Sequence, residues 1–173
     1  MADVRSEISP TQESWDVRYF VTETGIDSES SLPRVEIRAA HMATFETPDS
    51  VYTVMRGDSL TPRIIAYFFD EVGDTSAVLN AGRIILHEKE RTFEATGNVD
   101  VVTPEDKRLE GEHLLWYEET RTLETPGFVR IITPTEQVQG YDLVADEDLD
   151  KYTLKRMTGQ VIVEEDDDVE PEE

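Results

Sequence analysis

An all-β fold is predicted by three features of the 173-residue sequence. Apolar residues almost nowhere recur at the three-to-four spacing of a helix. Short β-branched and aromatic runs follow one another instead, each bounded by turn-forming residues. Five of the eight prolines follow threonine, at 48, 62, 104, 126 and 134. Most fall between the runs, where a residue without an N–H does least harm to a ladder.

The runs are as follows. In the first half they are DVRYFVTET (16 to 24), RVEIRAAHMATFE (34 to 46), SVYTVM (50 to 55) and RIIAYFFDE (63 to 71). In the second half come RIILHE (83 to 88), NVDVV (98 to 102), HLLWYEE (113 to 119), FVRIIT (128 to 133), YDLVAD (141 to 146), KYTLKRM (151 to 157) and QVIVEE (160 to 165). Glycines then expose a repeat. Gly82, Gly111 and Gly140 are spaced 29 and 29 apart, each preceding a run that reaches an acidic turn. Between them Gly97, Gly127 and Gly159 each open a second run, so that three units fill residues 79 to 163. The first half carries a looser version without a glycine ruler.

Such units cannot bury their faces singly, so they stack into a solenoid or fold into a two-walled sheet. Period-two alternation gives one apolar face: Val99 and Val101, Leu114 and Trp116, Val129 and Ile131, Leu143 and Ala145, Tyr152 and Leu154, Val161 and Val163. That face is read either as an ordinary sandwich core or as the lining of an elongated apolar groove.

Charge divides the chain. There are 39 Asp and Glu against 16 Lys and Arg, a net charge of -23. Eight of those acids lie in the last ten residues, and without them the charge is -15. So dense a block of like charge cannot pack, and residues 164 to 173 are expected to be a disordered acidic tail. A flexible segment over 1 to 13 and one domain over 14 to 163 complete the expected organisation. The net charge argues against nucleic acid and anionic surfaces as partners, since each phosphate contact needs a cation. Acid dispersed over the body, with 12 Arg but 4 Lys, suits a protein kept soluble in concentrated salt and points to a halophilic source. Residues 1 to 13 are polar, with no secretory or membrane-inserting pattern.

No motif supports catalysis. Without cysteine there is no thiolate nucleophile, disulfide or Cys-based metal site. Gly57-Asp58-Ser59-Leu60 spells the nucleophile block of GDSL hydrolases, which requires a strand-to-helix turn and a distant Asp-x-x-His. His41, His87 and His113 lie in strand-like runs, none with Asp three residues earlier, so a turn is the reading adopted. Arg56-Gly57-Asp58 is a coincidence of the same kind. Asp146, Asp148 and Asp150 alternate like a calcium loop, but its Gly and Glu positions hold Lys151 and Met157. A solvated acidic turn is expected there, with no metal and no cofactor. A binding or scaffold role remains.

The repeat region resembles the LptC family, the periplasmic component of the lipopolysaccharide export bridge, within the OstA-like β-jellyroll group. The likeness is carried by FEATGNVDVVT (93 to 103), LEGEHLLWYEETRTLETPGFVRI (109 to 131), VQGYDLVADEDLDKYTL (138 to 154) and GQVIV (159 to 163), in that order. It implies an open, twisted jellyroll of antiparallel strands whose interior holds acyl chains, decided in favour of the groove. On that implication Val35, Ile37, Val99, Val101, Leu114, Trp116, Val129, Ile131, Leu143, Leu154 and Val161 line the interior wall. Val17, Tyr19 and Val21 form an edge facing an inner-membrane ABC transporter, and Gly159, Val161 and Val163 form the edge toward the next jellyroll. The implied ligand is lipopolysaccharide and the implied location periplasmic, at an inner membrane held by an anchor missing from this sequence. The rival expectation is a structural or adhesive β-repeat domain with a closed core.

Overall fold

The structure is a computed structural model that describes residues 8 to 22, 32 to 161 and 163. The acidic tail and the first seven residues of the expected flexible segment lie outside them. Among the described residues, eleven strands form one antiparallel sheet: β1 (Gln12–Thr22), β2 (Pro33–Glu46), β3 (Val51–Arg56), β4 (Ile64–Phe69), β5 (Thr75–Ala81), β6 (Arg83–His87), β7 (Thr92–Val102), β8 (Arg108–Tyr117), β9 (Thr122–Ile132), β10 (Glu136–Asp146) and β11 (Tyr152–Val161).

Pairing shows how one sheet becomes two walls. The N-terminal half of β2 pairs with β4 and its C-terminal half with β3. Likewise the N-terminal half of β7 pairs with β6 and its C-terminal half with β5. Each pass of the chain therefore crosses a bend, with half its residues in either wall. β3 with β4, and β5 with β6, are single passes interrupted at the bend; the other strands cross it unbroken.

The bend explains the glycines. Gly97, Gly111, Gly127 and Gly140 sit inside strands where the chain creases, and Gly82 sits at the break between β5 and β6, the crease of their shared pass. The ladder register shifts at Thr96/Val99, Gly111/Leu115 and Tyr141/Leu143. Gly82 donates to both Thr96 and Gly97 carbonyls at 3.0 Å, so its N–H spans the crease. Gly97 adopts φ 83°, which costs glycine little. Asp16, Asn98 and Asp142 take left-handed φ at corresponding places in β1, β7 and β10. Short polar side chains tolerate that region best among non-glycine residues. What the sequence offers as separate runs flanking each glycine are thus halves of single bent strands.

β5 was not among the expected runs. Its inward residues are Ala77, Leu79 and Ala81, two of them too small to stand out as a strand signal. The walls meet over a continuous apolar core drawn from β2 to β10. At its centre Phe68 of one wall packs edge-on against Trp116 and Phe93 of the other, with centroids 5.4 and 5.7 Å away. Edge-to-face geometry adds about 0.5–1.5 kcal/mol per pair beyond burial. The result is the all-β, twisted antiparallel jellyroll expected, with β1 and β11 at its two ends, each paired on one side only among the described residues.

Candidate functional site

Nine of the eleven proposed wall residues face the core. Val35, Ile37, Val99, Val101, Leu114, Trp116, Val129, Ile131 and Leu143 are at most 3% exposed. Leu154 is half-buried against the core from the last strand. Val161 is a correction: it is 73% exposed, because the end of β11 runs past the core and no described residue covers it. Val163 lies beyond the strand and is likewise exposed. The interior also contains Met42, Met55, Ile64, Leu79, Ile84, Phe93 and Leu109, which the wall assignment missed. Alternation alone would have found Phe93, which continues the period-two pattern of β7 across the bend, but not Leu109, because the phase of β8 changes where its register slips between Gly111 and Leu115.

The interior is filled. The space between Phe68, Leu79, Val101, Leu114, Trp116 and Leu123 amounts to about 10 Å³, room for one water at most and far too little for an acyl chain. Side chains from the two walls meet where the groove was expected, with the Phe68 ring of one wall edge-on to Phe93 and Trp116 of the other.

Hairpins at the free ends of the walls close the mouth. Arg34 Nη2 reaches Glu147 Oε1 at 3.3 Å, joining β2 to the β10–β11 turn. Arg121, between β8 and β9, reaches Glu71, between β4 and β5, at 3.3 Å. Lys107 pairs with Asp150, and Tyr152 donates to Glu136 at 3.1 Å. Beneath these contacts Leu149 is 2% exposed and plugs the gap from above. Glu71, Lys107, Arg121 and Glu147 carried no sequence signal of their own, since each lies in a charged stretch between runs or at the end of one.

Glu147 is the least comfortable group of the clasp. Burial pushes its carboxyl above the usual range, and the pull of Arg34 and Arg121 does not fully offset this. The Trp116 indole N–H beside it makes no hydrogen bond of ordinary geometry. On the β1 side the mouth stays wider. Tyr19, Val21, Leu86, Phe93 and Trp116 border a cleft of about 330 Å³ that leads to the aromatic cluster. Burial, aided by Glu88, holds the Tyr19 hydroxyl above its ordinary pKa.

The expected edge residues Val17, Tyr19 and Val21 lie on β1 with side chains half-buried against the core. Gly159 lies on β11 opposite Val138. Both strands offer an outer backbone edge.

The dismissed motifs have structural roles. Asp58 Oδ1 accepts from Leu60 and Thr61 N–H at 2.9 and 2.6 Å, so the Gly57–Leu60 block is a tight turn inserted at the bend between β3 and β4. A side chain at Gly57 would meet the Pro62 carbonyl oxygen at 2.3 Å. His41 pairs with Glu13, while His87 and His113 both reach Glu94, at 2.9 and 2.8 Å. Burial works against the Glu94 charge, but the two imidazoles overcome it and hold its pKa below the usual range. No cluster suited to a metal occurs among the described residues.

No family model matches the sequence, and no curated protein matches it. Among solved structures, the chain is similar to LptH of Pseudomonas aeruginosa, the LptA homologous periplasmic component of the lipopolysaccharide transport device. The TM-score is 0.54 at 10% identity, over 75% of this chain and 94% of that one. The two share a fold.

Proposed function

We propose that the chain is a non-catalytic bridge component of lipopolysaccharide export, working in a periplasm and passing lipid between neighbouring jellyrolls. The observation that carries this reading is the bent-strand roll held in common with a periplasmic transport component, ending in two unpaired strand edges. An edge strand offers alternate N–H and C=O groups that a partner strand completes. β1, with Val17, Tyr19 and Val21, is the edge for the inner-membrane ABC transporter, in the LptC position that the sequence resemblance implies. β11, from Gly159 outward, is the edge for the next jellyroll.

Acyl chains would enter at the Tyr19–Trp116 cleft and part the walls from there. Each buried methylene contributes about 0.8 kcal/mol, which favours opening a core that is already lined with apolar side chains. The net charge of -23 repels a phosphorylated headgroup, so recognition rests on the acyl chains, with the headgroup left in salt or bridged by divalent cations.

The filled interior favours a second reading, a structural β-repeat domain that never admits lipid. The two tryptophans separate the readings, since Trp15 is exposed and Trp116 lies in the core. In a Trp15→Phe variant, emission comes from Trp116 alone. Spin-labelled stearate should quench it, and lipopolysaccharide should restore it by competition. Emission indifferent to the spin label would leave the structural reading standing.

A further inference from the structure

At the mouth of the roll, the turn between β10 and β11 carries the apolar plug Leu149. Leu149 stands in the left-handed region, at φ 58°, and its N–H donates to the Asp146 carbonyl at 3.2 Å. Two further turns are closed by the same hydrogen bond, from Gly73 to Asp70 at 3.2 Å and from Asp106 to Thr103 at 3.1 Å. There glycine and aspartate occupy the left-handed position, which they tolerate, whereas a leucine is crowded by its own backbone. Strain of this kind persists only where the surroundings over-determine it, and it concentrates in parts that switch. What holds Leu149 is burial: it is 2% exposed and belongs to the core cluster, while Gly73 and Asp106 are exposed.

The ties between this turn and the opposite wall are of another kind. Glu147 meets Arg34 of β2 at 3.3 Å, and Asp150 meets Lys107 of the β7–β8 turn. Leu149 is the only apolar residue between these charges. Ion pairs at such partly buried sites return little net free energy, since desolvation offsets much of their attraction. Deeper in the roll the walls meet through the Phe68, Phe93 and Trp116 rings instead. The turn is therefore held to the far wall more weakly than the walls hold each other, and its release relieves the strain at Leu149. Trp116 lies against the turn, 3% exposed, with its indole N–H beside Glu147 and without a hydrogen bond of ordinary geometry. Packing alone shields that N–H from water.

We propose that the turn from Asp146 to Lys151 is a lid on the roll, closed by the Leu149 plug, latched by Arg34 and Lys107, and released as a unit to open the interior above Trp116 while the strands stay paired. Acyl chains that part the walls from the β1 side have to undo this latch, so the purpose of the lid rests on the lipid reading above. Its motion does not.

Hydrogen exchange followed by NMR on the full chain tests it, with the Trp116 indole N–H as reporter and the paired backbone amides of β7 and β8 as the standard for global unfolding. Trp15→Phe assigns the indole signal. After correction for intrinsic rates, the Trp116 indole should exchange at least about a hundredfold faster than those amides, at a rate constant across low urea, because lid release uncovers little surface. Arg34→Met combined with Lys107→Met should speed the indole at least about fivefold more than the β7 and β8 amides. Leu149→Asn suits the left-handed turn but unseals it, and should act in the same sense. A merely structural leucine or ion pair would change indole and amides by one common factor, that of the loss in global stability. The proposal is overturned if the indole and the β7 and β8 amides share one rate and one urea dependence, or if the latch and plug variants move them equally. A lid that opens in these measurements stands even where spin-labelled stearate leaves Trp116 emission unchanged, and stearate quenching does not rescue a Trp116 indole that exchanges only by global unfolding.

Discussion

At Glu147 two effects act on one carboxyl in opposite senses. Arg34 and Arg121 favour its charge, burial disfavours it, and burial prevails. A carboxyl whose pKa folding raises binds its proton more tightly in the native state. Its contribution to stability therefore grows as pH falls from neutrality through the raised pKa, and levels off below the ordinary carboxylate range. Glu147→Gln should match or exceed the parent's Tm at pH 7, and the difference should vanish near pH 4, where both side chains are neutral. Melting curves across that range check this; a loss of several degrees at pH 7 would show the guanidinium pairs to be the stronger effect. Glu94 behaves oppositely: its lowered pKa gives stability above the usual carboxylate range that is lost as pH falls through the lowered value. None of this was legible in the sequence, where Glu147 is one acid of an Asp-Glu-Asp-Leu-Asp string. Its burial follows from a hairpin of one wall closing over the other.

At the scale of the strand, the bend is the organising device, and its legibility was partial. The 29-residue spacing of Gly82, Gly111 and Gly140 was visible because each glycine marks the crease of every second pass. The intervening passes β7 and β9 hold Gly97 and Gly127, which look in the sequence like the openings of separate second runs. Nor could the spacing reveal that the glycines lie within the passes, since a bend and a turn demand the same residue. The glycines are not equivalent. A Cβ at Gly57 would sit 2.3 Å from the Pro62 oxygen, whereas at Gly82 its nearest neighbour is 3.6 Å away. Gly57→Ala should cost more than about 2 kcal/mol in urea unfolding, and Gly82→Ala within about 1 kcal/mol. Equal costs would mean that the crease, and not local crowding, sets the requirement.

Over the whole molecule, charge opposes folding and apolar burial drives it. With 39 acids to 16 bases, repulsion between like charges exceeds what the cross-wall ion pairs return. Salt weakens both, but the repulsion is larger. Tm should rise by at least about 3 °C between dilute buffer and about 1 M salt, equivalent to about 1 kcal/mol for a domain of this size. A falling Tm would make the Arg34, Lys107 and Arg121 clasps the dominant electrostatic feature. The same experiment tests the halophilic origin inferred from composition.

The strand content, the antiparallel roll and most of its interior were determined by the sequence, because alternation at period two commits a residue to one face wherever the strand is placed. Val35, Leu114 and Ile131 could be assigned to the inside without knowing what lay opposite them. Tertiary structure alone decided whether that inside is open or filled, since this depends on how the side chains of one wall meet those of the other. Phe93 and Trp116 are cross-strand neighbours on β7 and β8, and only the bend that folds the sheet on itself brings the Phe68 ring of β4 against both and closes the space between them.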